Sequence, residues 1–293
     1  MLQNLTELTF NQGFDGVSLR DVWVFLGPRS KTLRLTIPIF LDGLGTFVTA
    51  LKAKCPNIEY LYVSSDELSK RTNRVMLDLI CSLSYLRTIS CEDVTCDSQT
   101  FKYLSSLPFL QNLNVRLPNG LAQGGSLDAS SDILPFLALR HLHVSVASIA
   151  DAGVFLQVTS SFSALESLYI TFDRIVPTPD QLHAVLAVVQ RSGSCDTLTT
   201  FELWDHVELY DDSSPLHSLD AHILSPLLRC RNLEHITIGI SYEHAGINNS
   251  FLKEMVSAWP CLRYISLHSG YDAHLWHSKA NLQGLLYLGQ HCH

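Results

Sequence analysis

The sequence predicts an α/β solenoid, a horseshoe in which about ten short parallel strands form an inner sheet and helices form the outer layer. Three observations carry that expectation. A six-residue pattern, apolar-x-x-apolar-x-apolar, recurs ten times along the 293 residues. Within each copy the fourth and sixth positions alternate with the third and fifth, which is strand periodicity. Between copies lie segments whose apolar residues have helical spacing.

The copies run in order as LTELTF (5–10), TLRLTI (32–37), IEYLYV (58–63), LRTISC (86–91) and LQNLNV (110–115). They continue as LRHLHV (139–144), LESLYI (165–170), LTTFEL (198–203), LEHITI (233–238) and LRYISL (262–267). Successive copies start 27, 26, 28, 24, 29, 26, 33, 35 and 29 residues apart, and Thr32 alone breaks the apolar rule when Cys91 counts as apolar. Helices are expected around 18–26, 47–55, 75–83 and 251–259. The clearest start is TPDQLHAVLAVV, where Thr178 caps, Pro179 suits the first turn and Gln181 completes a capping box. Asp97 and Ser218 are expected as further caps. Pro56, Pro108 and Pro260 stop the helix and turn the chain extended before the next strand.

A strand–helix unit of this length cannot bury both its faces alone, so the copies must stack. The expectation is a single domain over 1–293, with repeats over about 2–270 and a C-terminal cap or tail at 271–293. Residues 274–290 are expected to contribute a helix that covers the last strand's edge. Two longer connections, 116–132 (rich in Gly and Ser) and 204–217 (acidic), are expected as loops at one edge of the sheet.

Composition narrows the function classes. Net charge is −8, with no run of lysines or arginines, so nucleic acid is not an expected partner. No apolar run reaches the roughly 20 residues that cross a bilayer, and the N-terminus has no basic-then-apolar leader. The eight cysteines have no metal-type spacing and are expected as reduced, mostly buried thiols. No Walker loop, nucleophile elbow or zincin helix is present; the predicted neighbours of His141/His143 include no carboxylate or thiolate to complete a metal set, and HLWH (274–277) and HCH (291–293) are similarly weak as metal sites. Neither a catalytic residue, a metal nor a cofactor is expected.

The repeated pattern resembles the leucine-rich repeat. The Asn or Cys ladder of that family's short repeats is missing; Asp66, Val94, Pro118, Ala147, Asp173 and His206 are among the residues in its place. Long, irregular, helix-containing repeats with CPN or WPC before the strand are similar to those of fungal F-box/leucine-rich-repeat proteins. That resemblance implies an intracellular protein, cytoplasmic or nuclear, that recognises a substrate protein for ubiquitination. Family members carry an F-box ahead of the repeats. Four residues precede the first copy, so docking to a ubiquitin-ligase core is expected only if an F-box lies upstream.

The third and fifth positions of each copy point away from the core and contain no aliphatic residue. They are polar or aromatic, a rigid surface that costs little entropy to bind against. The expected partner-binding residues on this concave face are Tyr60, Tyr62, Asn112, Asn114, His141, His143, Tyr169, Glu202, His235 and Tyr264, with Trp204 just past its strand. Its few formal charges favour a protein partner. The function expected is therefore a protein–protein interaction scaffold, with an interaction or inhibitor-type protein outside ubiquitination as the alternative.

Overall fold

The computed structural model describes residues 5–11, 23–37, 43–65, 68–124, 135–159, 162–173, 176–206, 217–240, 242–268 and 279–291. The chain forms two compact units. The first holds the described residues up to Leu117; the second holds Pro118–Gly124 and those from Pro135 onward. Both are α/β, and each contains five parallel strands in its main sheet.

In the first unit the strands are β1 (Glu7–Asn11), β2 (Thr32–Thr36), β3 (Tyr60–Ser64), β4 (Thr88–Thr95) and β5 (Asn112–Arg116). They pair in chain order, all parallel. Helices α1 (Leu44–Lys54), α2 (Lys70–Ile80) and α3 (Ser98–Ser105) connect them. Each turns a buried stripe inward, for example Leu44, Phe47, Val48 and Leu51 of α1. Ser69 and Asp97 cap α2 and α3 by accepting the N–H groups of Thr72 and Thr100, which relieves donors that the first turn cannot satisfy internally.

The second unit repeats the plan with β6 (His141–Val146), β7 (Ser167–Phe172), β8 (Thr200–Asp205), β10 (His235–Gly239) and β12 (Tyr264–His268). Two short strands, β9 (Ser218–Asp220) and β11 (Glu243–Gly246), form a separate parallel pair that the hydrophobic pattern does not announce. Gly246 permits that pair: a Cβ there would lie 2.4 Å from the Asp220 Cα. The helices are α4 (Ile149–Val158), α5 (Pro179–Arg191), α6 (Ala221–Leu224), α7 (Asn249–Ala258) and α8 (Leu282–His291). The capping box of α5 forms as expected: Gln181 N–H donates to Thr178 Oγ1, and Thr178 N–H donates to Gln181 Oε1. The cap of α6 is Asp220, which accepts the Ile223 N–H; Ser218, expected in that role, lies in β9 instead.

Strand alternation places the core. Leu33, Leu61, Ile89 and Leu113 of the first unit are at most 1% exposed, as are Leu142, Leu168, Phe201 and Ile236 of the second. Burying one such side chain stabilises by roughly 1.5–3 kcal/mol. The register corrects one copy. Thr32 pairs with Tyr60 and Arg34 with Tyr62, so the second repeat begins at Ser30, two residues earlier than TLRLTI implies. Ser30 fills the first apolar position at 1% exposure by donating its hydroxyl to the Leu5 carbonyl. Thr32 broke the apolar rule because it is an open-face residue.

A backbone device recurs where strands begin. The carbonyl of the second repeat position accepts two N–H groups from the next repeat. Lys31 and Thr32 donate to Thr6, at 2.8 and 3.0 Å, and Glu59 and Tyr60 donate to Lys31 at the same distances. In the second unit Thr199 and Thr200 donate to Glu166, and Arg263 and Tyr264 donate to Glu234. The side chains of this position form a charge row: Lys31–Glu59–Arg87 in the first unit, and Arg140–Glu166 and Glu234–Arg263 in the second.

Three residues before each copy from the third onward stands another row, also unannounced by the six-residue pattern. It comprises Cys55, Leu83 and Leu107 in the first unit and Phe136, Phe162, Cys195, Cys230 and Trp259 in the second, all buried. Phe136 and Phe162 stack with centroids 6.0 Å apart. Where two adjacent repeats both carry cysteine, strand spacing brings them together: Cys195 and Cys230, 35 residues apart, form a disulfide with Cα atoms 4.2 Å apart. The expectation of reduced thiols therefore fails at this pair and holds for Cys55, Cys81, Cys91, Cys96 and Cys261. Burial pushes the Cys91 thiol up to about 12.

Helix α8 overlaps the segment 274–290 expected to cap the last strand, and it packs against α7. Asn249 and Asn281 exchange hydrogen bonds, and Gly284 sits where a Cβ would come 2.8 Å from Leu252 Cδ1. Leu282, Leu285 and Leu286 face outward. The helical spacing at 18–26 yields a 3-10 turn at Trp23–Phe25, and residues 18–22 lie outside the described set. So do Glu208, Asp211 and Asp212 of the acidic connection, Gly125–Asp132 of the Gly/Ser-rich one, and His274 and His277.

Candidate functional site

Parity sends every expected binding residue to the open face of its own sheet, opposite the core. In the first unit the face has two main rows. One is Glu7–Thr32–Tyr60–Thr88–Asn112, and the other is Thr9–Arg34–Tyr62–Ser90–Asn114. Tyr60, Tyr62, Asn112 and Asn114 stand there half-buried. Their side chains engage one another across strands. Arg34 Nε donates to Glu7 Oε1 at 3.1 Å while its guanidinium carbon sits 3.8 Å above the Tyr62 ring. Asn112 donates to Thr88 Oγ1 at 2.9 Å, and Asn114 Nδ2 donates to Ser90 Oγ and to Glu92 Oε1. Asn114 Oδ1 is buried without a donor among the described residues.

The second unit's rows are His141–Ser167–Thr200–His235–Tyr264 and His143–Tyr169–Glu202–Thr237–Ser266. A third row runs Ser145–Thr171–Trp204–Gly239, so Trp204 lies within β8 and not beyond it. Here the face is aromatic. His143 and Tyr169 rings are 6.0 Å apart, and His235 and Tyr264 rings 6.2 Å apart. Trp204 Nε1 donates to Glu202 Oε2 at 2.9 Å. Tyr264, on the last strand in the order, is 52% exposed. Burial raises the Tyr169 phenol above its ordinary value, and the Glu202 charge adds to that. Tyr169 therefore stays a neutral hydroxyl near neutral pH.

Among the described residues no three His, Cys, Asp or Glu side chains gather closely enough to hold a metal ion. No described helix is long and apolar enough to cross a membrane. What the open faces present is hydrogen-bonding and aromatic side chains held on strands. A scan of family models and a search of curated proteins found no match to this sequence.

Proposed function

We propose that this chain is a non-enzymatic recognition scaffold, a leucine-rich-repeat-like horseshoe of about ten repeats that binds a protein partner along its open strand face. One observation carries the reading: in both units every third- and fifth-position side chain that the register places falls opposite the core, and none is aliphatic. Aromatic side chains held on strands lose little freedom on binding, which is why they dominate interface energetics. The more specific reading, recognition of substrates for an F-box-type ubiquitin ligase, rests on the CPN and WPC style of the repeats. A general interaction or inhibitor-type protein is the alternative, and an F-box in the upstream reading frame decides between them.

The proposed compartment is cytoplasmic or nuclear. Five free cysteines support it, and the Cys195–Cys230 bond speaks against it. Mass analysis of the protein from its native cells after rapid alkylation decides whether that bond exists there.

The central test is affinity capture of partners from the native cell with the wild-type chain and with a Tyr169→Ala/Trp204→Ala variant whose circular dichroism matches wild type. Partners lost selectively from the variant support the reading. A partner set unchanged by that variant and by Tyr60→Ala/Tyr62→Ala overturns it.

A further inference from the structure

Four glutamates in the cross-strand rows have cationic partners. Glu7 meets Arg34; Glu59 meets Lys31 and Arg87; Glu166 meets Arg140; Glu234 meets Arg263. Glu202 meets no cationic side chain among the described residues, although it is half-buried in the centre of the second unit's open face. Its register neighbours are Tyr169 on β7 and Thr237 on β10, and Trp204 follows two residues along the same strand. The Trp204 indole N–H holds Oε2 and so fixes the direction in which the carboxylate points.

The first unit shows what completes such an arrangement. There a carboxylate (Glu7) and an aromatic ring (Tyr62) close on the guanidinium of Arg34, one by a hydrogen bond and the other by its ring face. The second unit supplies the carboxylate and the rings, without a cation among the described residues. A half-buried carboxylate attracts a cation more strongly than a fully solvated one, because less water screens it. Aromatic faces beside it add the cation–π term, and a planar guanidinium satisfies both at once.

Building on the partner-binding reading above, we propose that Tyr169, Glu202 and Trp204 form a subsite for one basic side chain, arginine above lysine, on an extended segment of the protein partner. Glu202 accepts its N–H groups while Tyr169 and Trp204 flank its plane. The rest of the segment runs along the open face towards His235 and Tyr264. A chain of net charge −8 also attracts a basic segment at long range.

The test is selection of random dodecapeptides on the immobilised full-length chain, using wild type, Glu202→Gln and Glu202→Lys. Wild type is expected to enrich peptides with Arg or Lys at one position. Replacing that residue by citrulline in a selected peptide should weaken binding about tenfold, the scale of a charge-assisted contact. Glu202→Gln should shrink the difference to within about twofold, and Glu202→Lys should turn the preference towards Asp or Glu. Glu202→Gln is nearly isosteric and retains an acceptor for the Trp204 N–H; its unfolding midpoint confirms the fold. Enriched peptides without a basic residue, or a basic preference unchanged in Glu202→Gln, overturn the subsite. If such peptides are still lost from Tyr169→Ala, the partner-binding reading stands without it. Retention of no peptide by wild type also overturns the subsite, and the native-cell capture judges the wider reading separately.

Discussion

The two units follow one backbone plan, and their open faces differ in how far the side chains satisfy each other. In the first unit several polar side chains close on one another: Arg34 is held by Glu7 and Tyr62, Asn112 by Thr88, and Thr36 by Asn11 and Ser64. In the second, His143, Tyr169, Glu202, Trp204, His235 and Tyr264 form an aromatic patch around a carboxylate with no countercharge among the described residues. A repeat architecture separates the two jobs of a strand. Alternate positions build the core in each copy, and the intervening ones are free to close on one another or to stay open. The cysteines follow the same contrast. Cys55 has Leu83 as its counterpart in the next repeat and stays a thiol, whereas Cys195 has Cys230 and is bonded.

The largest effects should be the same in both units, because the cores are alike. Leu113→Ala in β5 and Ile236→Ala in β10 should each destabilise by about 2–5 kcal/mol in denaturant unfolding, from lost burial and the cavity left behind. A cost below about 1 kcal/mol at either site would mean that its sheet is not packed as described.

The next effect should separate the units. Once a partner is in hand, Tyr169→Ala should weaken it by about 2 kcal/mol or more, as for an interface anchor. Tyr62→Ala should change affinity by less than about 1 kcal/mol, since its ring face is already covered by Arg34. Equal losses from both would erase the distinction between a closed face and an open one.

The smallest effect concerns charge. The Glu59 carboxyl lies below its ordinary 4.5 because Lys31 hydrogen-bonds to it; partial burial opposes this, and the charges of Lys31 and Arg87 add to the lowering. A depressed carboxyl contributes stability above its unfolded value and loses it as pH falls through the folded one. Glu59→Gln should therefore cost at most about 1 kcal/mol near neutrality, in equilibrium unfolding followed against pH. That cost should fade on acidification below about 4.5.

The strands and their inward faces were legible in sequence because alternation is local: Leu61 and Val63 are apolar whether or not the rest of the chain is known. The end of β8 shows the limit. Trp204 could be placed only just past LTTFEL, and the register showed it one row further along the same face. The slip at Thr32 has a similar cause. Ser30 satisfies an apolar position with a hydroxyl that finds the Leu5 carbonyl, and no hydrophobicity pattern records that hydrogen bond.

The amino-acid sequence by itself determined where chain direction reverses, which residues face inward, and which side chains occupy the open faces. These follow from period-two alternation, Pro56, Pro108 and Pro260, and caps such as Asp97 and Thr178, all acting over a few residues. Only the tertiary structure decided which side chains become neighbours across repeats. Arg34 found both Glu7 and Tyr62, Cys195 found Cys230, and Glu202 found the Trp204 indole. Those pairings depend on register between segments roughly 25 to 35 residues apart, which is set when strands hydrogen-bond and cannot be read from any one of them.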